Sequence, residues 1–286
     1  MDHQLFQVIC SVVLALAYAV MWFTTPRGER RNLVMNVLVI GFGAWIAEDT
    51  SIRRYEFYAY PDWWWLMLDK VPLLVVAIWP VVVLSSRTVV TRLFPALDGW
   101  KLVLGVGIAV TIDATLIETI AADARLWRWS EGGYLGVPLI GMLGWGAYAA
   151  AITWALDFKP RGFALPRWAA PLLALGATHL LLVAMWWGGL RFALRGDLPV
   201  WLVFIALAAG LALAIRLAFL QRQGRIVPPS VALPRMLASS VFIVLLAHSA
   251  HPEAWALWVH FAAVALPYLA SVDWRAFAGD LRVPGA

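Results

Sequence analysis

Charge is scarce in this chain. Lys and Arg number 22 and Asp and Glu 17 among 286 residues, while 63% are hydrophobic and the mean hydropathy is +0.78. Soluble domains carry about a quarter charged residues, so 14% here excludes an ordinary soluble fold and indicates an integral membrane protein. The basic residues stand singly among apolar runs. Despite a net charge of +5, there is no basic tract to follow a phosphate backbone, and nucleic acid is not expected as a partner. Cysteine is nearly absent too: Cys10 alone excludes an internal disulfide and any multi-cysteine metal centre. The histidines form no HxxxH or HxxHH cluster and no HExxH, against di-iron desaturase, hydroxylase and zinc peptidase chemistry. A bis-histidine haem from His179 with His248 or His260 is a minor option, because solitary helix histidines more often pack or line polar cavities. GxSxG, Walker and dinucleotide-binding patterns are missing from plausible contexts. No metal and no cofactor is expected.

Long apolar runs are what the chain does have. About 20 such residues cross a bilayer, and runs fall at 4–24, 32–48, 65–86, 100–120, 134–157, 168–190, 199–220, 232–249 and 254–270. The expectation is an all-α, polytopic bundle of nine helices, eight if the last run fails, forming a single transmembrane domain over 1–286. Asp2-His3-Gln4 lacks the basic flank of a signal peptide, so the first run reads as a retained helix. Pro72, Pro80 and Pro267 fall inside runs and are expected to kink them.

The basic residues orient the bundle. Fifteen lie in the connections after the first, third, fifth and seventh runs and in the tail, Arg235, Lys159, Arg161, Arg275 and Arg282 among them. Seven lie on the other side, Arg53, Arg54 and Arg195 among them. The positive-inside rule then puts the N-terminus outside and the C-terminus inside, in a membrane expected to be the bacterial inner one.

Acids inside such runs are costly and seldom idle. Residues 113–145 hold two, Asp113 and Glu118, followed by Trp127, Trp129 and a Gly/Pro-marked turn at Gly133, Gly136 and Pro138. At about 1.5 Å per residue, Asp113 stands ~18 Å and Glu118 ~26 Å up a core of ~30 Å. Five residues at ~100° each place them about 140° apart, so they do not share a helix face. Thr111, Thr115 and Glu118 do share a stripe, the usual pattern of polar packing between helices. The second run ends at Glu48-Asp49 on the same side, and Tyr58, Tyr60 and Trp63-Trp64-Trp65 follow. A solvated helix end and an interfacial aromatic belt would explain this plainly. A catalytic alternative is equally physical. A neutral carboxylic acid in an apolar pocket donates a proton, and aromatic faces stabilise the cation that results. The partnership expected is across helices, Asp113 with Glu48, with Glu118 or Asp49 assisting.

Two blocks at these residues resemble an integral-membrane carotenoid biosynthesis family, the bisanhydrobacterioruberin hydratase-type carotenoid hydratases. The first comprises Glu48, Tyr58, Tyr60, Val71-Pro72-Leu73 and Trp79. The second comprises Asp113, Trp127, Trp129, Gly133-Tyr134, Gly136-Val137-Pro138-Leu139 and Gly144-Trp145. The likeness covers about residues 45–145. It departs where the family has an Asp-Pro pair, here Ile117-Glu118-Thr119, and where Asn-Phe precedes the last Gly-Trp, here Gly141-Met142. The resemblance implies cofactor-independent addition of water to the terminal double bond of a lipid-soluble isoprenoid or carotenoid. It implies Asp113 and Glu48 as catalytic acids, to which the reading of the residues themselves adds Glu118 and Asp49, and it implies Tyr58, Tyr60, Trp79, Trp127, Trp129, Tyr134 and Trp145 against the substrate. A terpene cyclase would use the same acid-initiated cation. A transporter would show inverted repeats, and none is visible; a non-catalytic lipid- or pigment-binding protein is the remaining alternative.

Overall fold

A computed structural model describes residues 2–157, 166–194, 196–249 and 252–274. Among these, nine helical segments are long and apolar enough to cross a membrane. They are α1 (His3–Thr24), α2 (Arg30–Tyr55), α3 (Leu73–Leu93), α4 (Gly99–Asp123), α5 (Leu139–Asp157), α6 (Ala170–Leu182, continued as a π-helix to Leu190), α8 (Leu202–Arg222), α9 (Pro229–Ala247) and α10 (Ala254–Ser271); α7 is one turn, Arg191–Ala193. Lys159, Arg161, Arg195, Arg275 and Arg282 lie outside the described residues.

The helix boundaries follow local chemistry. The carboxylate of Asp2 caps α1 by accepting the Gln4 N–H at 3.1 Å. Glu56 adopts a left-handed conformation (φ 53°) and ends α2. α2 therefore runs seven residues beyond Glu48, about 10 Å, instead of stopping at Glu48-Asp49. The third helix begins at Leu73, not 65, because Met67–Leu68 and Val71–Pro72 form a small hairpin. Pro72 accordingly sits at the N-cap of α3 and kinks nothing, while Pro80 and Pro267 do lie inside α3 and α10. Arg235 is a further correction. It lies in α9 paired with buried Asp113 instead of flanking the membrane, so the count of basic residues favouring that side falls by one.

The core sits where α2 to α6 meet. Small residues set the closest approach, as is usual between apolar helices. A Cβ on Gly146 of α5 would lie 2.7 Å from the Gly107 carbonyl oxygen of α4 and collide with Thr111 Oγ1. α10 lies along α8, and α9 lies between α1 and α3. Large apolar side chains point outward along α1 and α8, for example Val12, Leu16, Ile215 and Phe219. Such an exterior suits lipid better than water.

Two loops close one end of the bundle. Tyr58–Ala59 pairs antiparallel with Arg128–Trp129, with Tyr58 opposite Trp129. The start of α1 joins this end, where His3 stacks on Trp63 with ring centroids 4.1 Å apart. The opposite end carries a backbone bridge between Val227 and Val272.

Candidate active site

Side chains two residues apart in a strand point the same way. The short β-ladder therefore aims Tyr58 and Tyr60 from one loop, and Trp127 and Trp129 from the other, into the bundle. Tyr58 packs on Trp129 (ring centroids 4.8 Å) and Tyr60 on Trp127 (5.8 Å). Beneath them α3 supplies Trp79 and α5 supplies Trp145, with ring centroids 4.5 Å apart. α2 and α4 bring one carboxylate each, Glu48 and Glu118, both buried (8% and 3% exposed).

Each carboxylate accepts three aromatic donors. Glu48 Oε2 takes the hydroxyls of Tyr58 and Tyr60 (3.0 Å for Tyr60), and Oε1 takes the Trp79 indole N–H at 3.1 Å. Glu118 Oε2 takes the indole N–H groups of Trp127 (2.7 Å) and Trp129 (3.0 Å), and Oε1 takes Trp145 at 2.6 Å. Both acids line one cavity of about 60 Å³, walled also by Ile140, Tyr148 and Leu182. That is ample for water, which needs roughly 10–15 Å³ by the same kind of measure. Among the described residues, no Lys, Arg or His lines it. Buried carboxylates are normally paired with a cation; here six aromatic dipoles hold them instead.

The two donor sets differ chemically. An indole N–H only donates, whereas a phenol both donates and accepts. The indoles around Glu118 thus favour its ionised form. Those of Glu48 can also receive a hydrogen bond from the protonated acid. Burial, and next the Glu48 charge, push the phenol pKa values of Tyr58 and Tyr60 well above the ordinary tyrosine range, so both stay protonated. The arrangement puts two carboxyl groups with different hydrogen-bond partners, room for water and electron-rich walls in one space.

The structure brings together eight of the residues singled out in the sequence: Glu48, Glu118, Tyr58, Tyr60, Trp79, Trp127, Trp129 and Trp145. Three lie elsewhere. Asp113 does not meet Glu48. It is ion-paired with Arg235 and accepts the Tyr268 hydroxyl at 2.6 Å. The place expected for it is taken by Glu118, because α4 turns these two acids to different sides. Asp49 faces the helix surface, where it pairs with Arg53 at 2.9 Å and accepts the Lys70 N–H at 3.3 Å. Tyr134 bonds His260 at 3.1 Å, away from the cavity, and burial pushes its phenol up to about 12. His260 also meets Thr115 at 3.0 Å, and His179 is held by Thr50 (2.8 Å) and Tyr55 (2.9 Å). Among the described residues, no group of three His, Cys, Asp or Glu gathers as a metal site.

Sequence reasoning missed Tyr148, Ser51 and Thr178 in the cavity wall. Tyr148 carried a signal, one turn after Trp145 on α5; Ser51 and Thr178 carried none. No family model, no curated protein and no solved structure matches the chain.

Proposed function

We propose that this chain is a membrane-embedded, cofactor-independent enzyme that adds water to a terminal double bond of an acyclic isoprenoid or carotenoid. The observation that carries the proposal is the pair of buried carboxylates on one cavity, each held by three aromatic donors and neither by a cation. In the proposed reaction the carboxyl of Glu48 gives its proton to the less substituted alkene carbon. The π-bond breaks and a tertiary cation forms at the other carbon. Ring faces of Trp79, Trp129 and Trp145 stabilise that cation, and the Glu118 carboxylate adds to this electrostatically. A water oxygen bonds to the cation and loses a proton to Glu118. Return of a proton from Glu118 to Glu48, through the cavity water, restores the starting state. The sum is alkene plus water to tertiary alcohol.

The setting belongs to the same proposal: an integral protein of a bacterial inner membrane, the aromatic end outside. A lipid-dissolved substrate needs no water-soluble binding domain, and none is present among the described residues.

Expression in a host that accumulates acyclic carotenoids tests the reaction. Pigments gaining one water per modified end support hydration. A product isomeric with its substrate points to cyclisation by the same acid, which the largely apolar walls would also allow. Unchanged pigments with several acyclic substrates sink both.

A further inference from the structure

Asp113 anchors a second cavity that the carboxylate pair does not use. It is about 290 Å³, enclosed by α3, α4, α9 and α10. An apolar cavity of roughly 150 Å³ takes benzene, so this one has room for about twice that ligand. Its walls are almost wholly apolar, for example Val82, Leu116, Phe242 and Phe261. Its charged groups and most of its hydroxyls gather around one guanidinium. Arg235 Nη1 donates to Ser85 (3.1 Å) and Ser86 (2.6 Å), and Nη2 to Asp113 and to the Tyr268 hydroxyl (2.7 Å). Tyr268 donates in turn to Asp113 Oδ1 at 2.6 Å.

Two properties of the site select a ligand. The cluster contains one positive and one negative charge, so it offers hydrogen bonds without surplus charge. A carboxylate or diphosphate head would have to compete with Asp113 for Arg235, and a neutral hydroxyl or carbonyl would not. Access is the second. α10 packs mainly on α8, and α9 on α1 and α3, which leaves the seam between α9 and α10 thinly packed. Ile243 of α9 and Leu269 of α10 line the cavity at that seam and are 40% and 45% exposed. The thin seam and these exposed side chains mark the shortest way from the apolar exterior to the cavity.

We propose that this cavity binds an apolar, isoprenoid-sized chain with a neutral hydroxyl or carbonyl end, admitted between α9 and α10 and held at the Arg235–Asp113–Tyr268 cluster. The site stands apart from the hydration chemistry and does not depend on it. The chain could come from an isoprenoid alcohol or from a neutral glyceride of the bilayer.

Photolabelling of the full chain in phosphatidylcholine nanodiscs tests this, using a ten-carbon isoprenoid alcohol bearing a diazirine. The label is expected on α9 and α10, near Phe242 and Phe261. Geraniol should displace it at least tenfold better than geranyl diphosphate or the matching saturated hydrocarbon. Competition by dioleoylglycerol as strong as that by geraniol assigns the site to bilayer glyceride; weaker competition assigns it to isoprenoid alcohol. Ala265→Trp and Ala238→Phe each fill the cavity and should lower labelling more than tenfold. Gel filtration shows which variants are folded, and the competition order decides alone if neither is. Glu48→Gln, which removes the proposed proton donor, should label as the unsubstituted protein does, so failure here and failure of hydration are told apart. Label scattered over outward-facing surfaces, equal displacement by the diphosphate or the hydrocarbon, or undiminished labelling of a folded cavity-filling variant would overturn the proposal.

Discussion

Glu48 and Glu118 look alike in a sequence, yet their partners give them different hydrogen-bonding surroundings. Two phenols and an indole surround Glu48, three indoles surround Glu118, and only the phenols can accept a proton in a hydrogen bond. Glu48→Gln removes the proposed donor and should lower hydration turnover by about 10²–10⁴-fold, the usual worth of a general acid. Pigment conversion per unit of folded protein measures it, and full activity removes Glu48 from the mechanism. Glu118→Gln places amide hydrogens among three indole donors, so it should lose thermal stability as well as activity. Trp145→Phe tests the stability part while keeping an aromatic face in the cavity. It deletes one hydrogen bond to a carboxylate, worth about 1.5–3 kcal/mol, and a melting curve unchanged from the parent would show that bond to be idle. The raised phenols predict a pH effect. Their protons are bound more tightly in the folded state, so their stabilising contribution is complete below pH ~10, the unfolded tyrosine value. It is lost as pH rises from there through the higher folded values. Tyr58→Phe should accordingly flatten the alkaline limb of an unfolding profile, and an equally steep limb counts against the coupling.

Elements decide which residues meet, and they were only partly legible. The apolar runs announced the nine long helices found among the described residues, because a bilayer-length stretch needs no tertiary context. The pairing of Tyr58–Ala59 with Arg128–Trp129 was hidden, since a two-residue strand has no periodicity to read. The aromatics stand out in the sequence as ring faces beside acids, yet it is their N–H and O–H groups that hold the two carboxylates. Asp113 misled for a definite reason. Arg235 stands at the very start of the run 232–249, just after Pro234, where it reads as a flanking charge and not as a cation in the core. A prediction belongs at this scale. Gly141 of α5 leaves room for the Trp129 ring, and a Cβ there would lie 2.5 Å from Trp129 Cζ2. Gly141→Ala should push that indole off Glu118 and lower conversion, while Gly176→Ala on α6, with nothing within 4 Å of its new carbon, should not. Equal conversion by both variants would show that the Trp129 position is immaterial.

At the scale of the molecule, α3 and α4 divide the bundle into two chambers. Trp79 and Glu118 face the small one under the aromatic loops; Val82, Leu116 and Asp113 face the larger one, which extends to the Val227–Val272 end. The proposed hydration at the first chamber would need water from the nearer surface, so the side on which the aromatic end lies would set where water and protons are drawn. The basic residues favour that end outside even with Arg235 moved into α9. Asp62 lies exposed at the aromatic end and Gln223 exposed at the other, just after α8. With Cys10 replaced by alanine, a cysteine at position 62 should react with a membrane-impermeant maleimide in cells whose inner membrane is intact. One at position 223 should react only after that membrane is permeabilised. The reverse pattern would invert the bundle and draw water from the cytoplasmic face. Reaction at both positions without permeabilisation would mean that the helices do not separate two compartments.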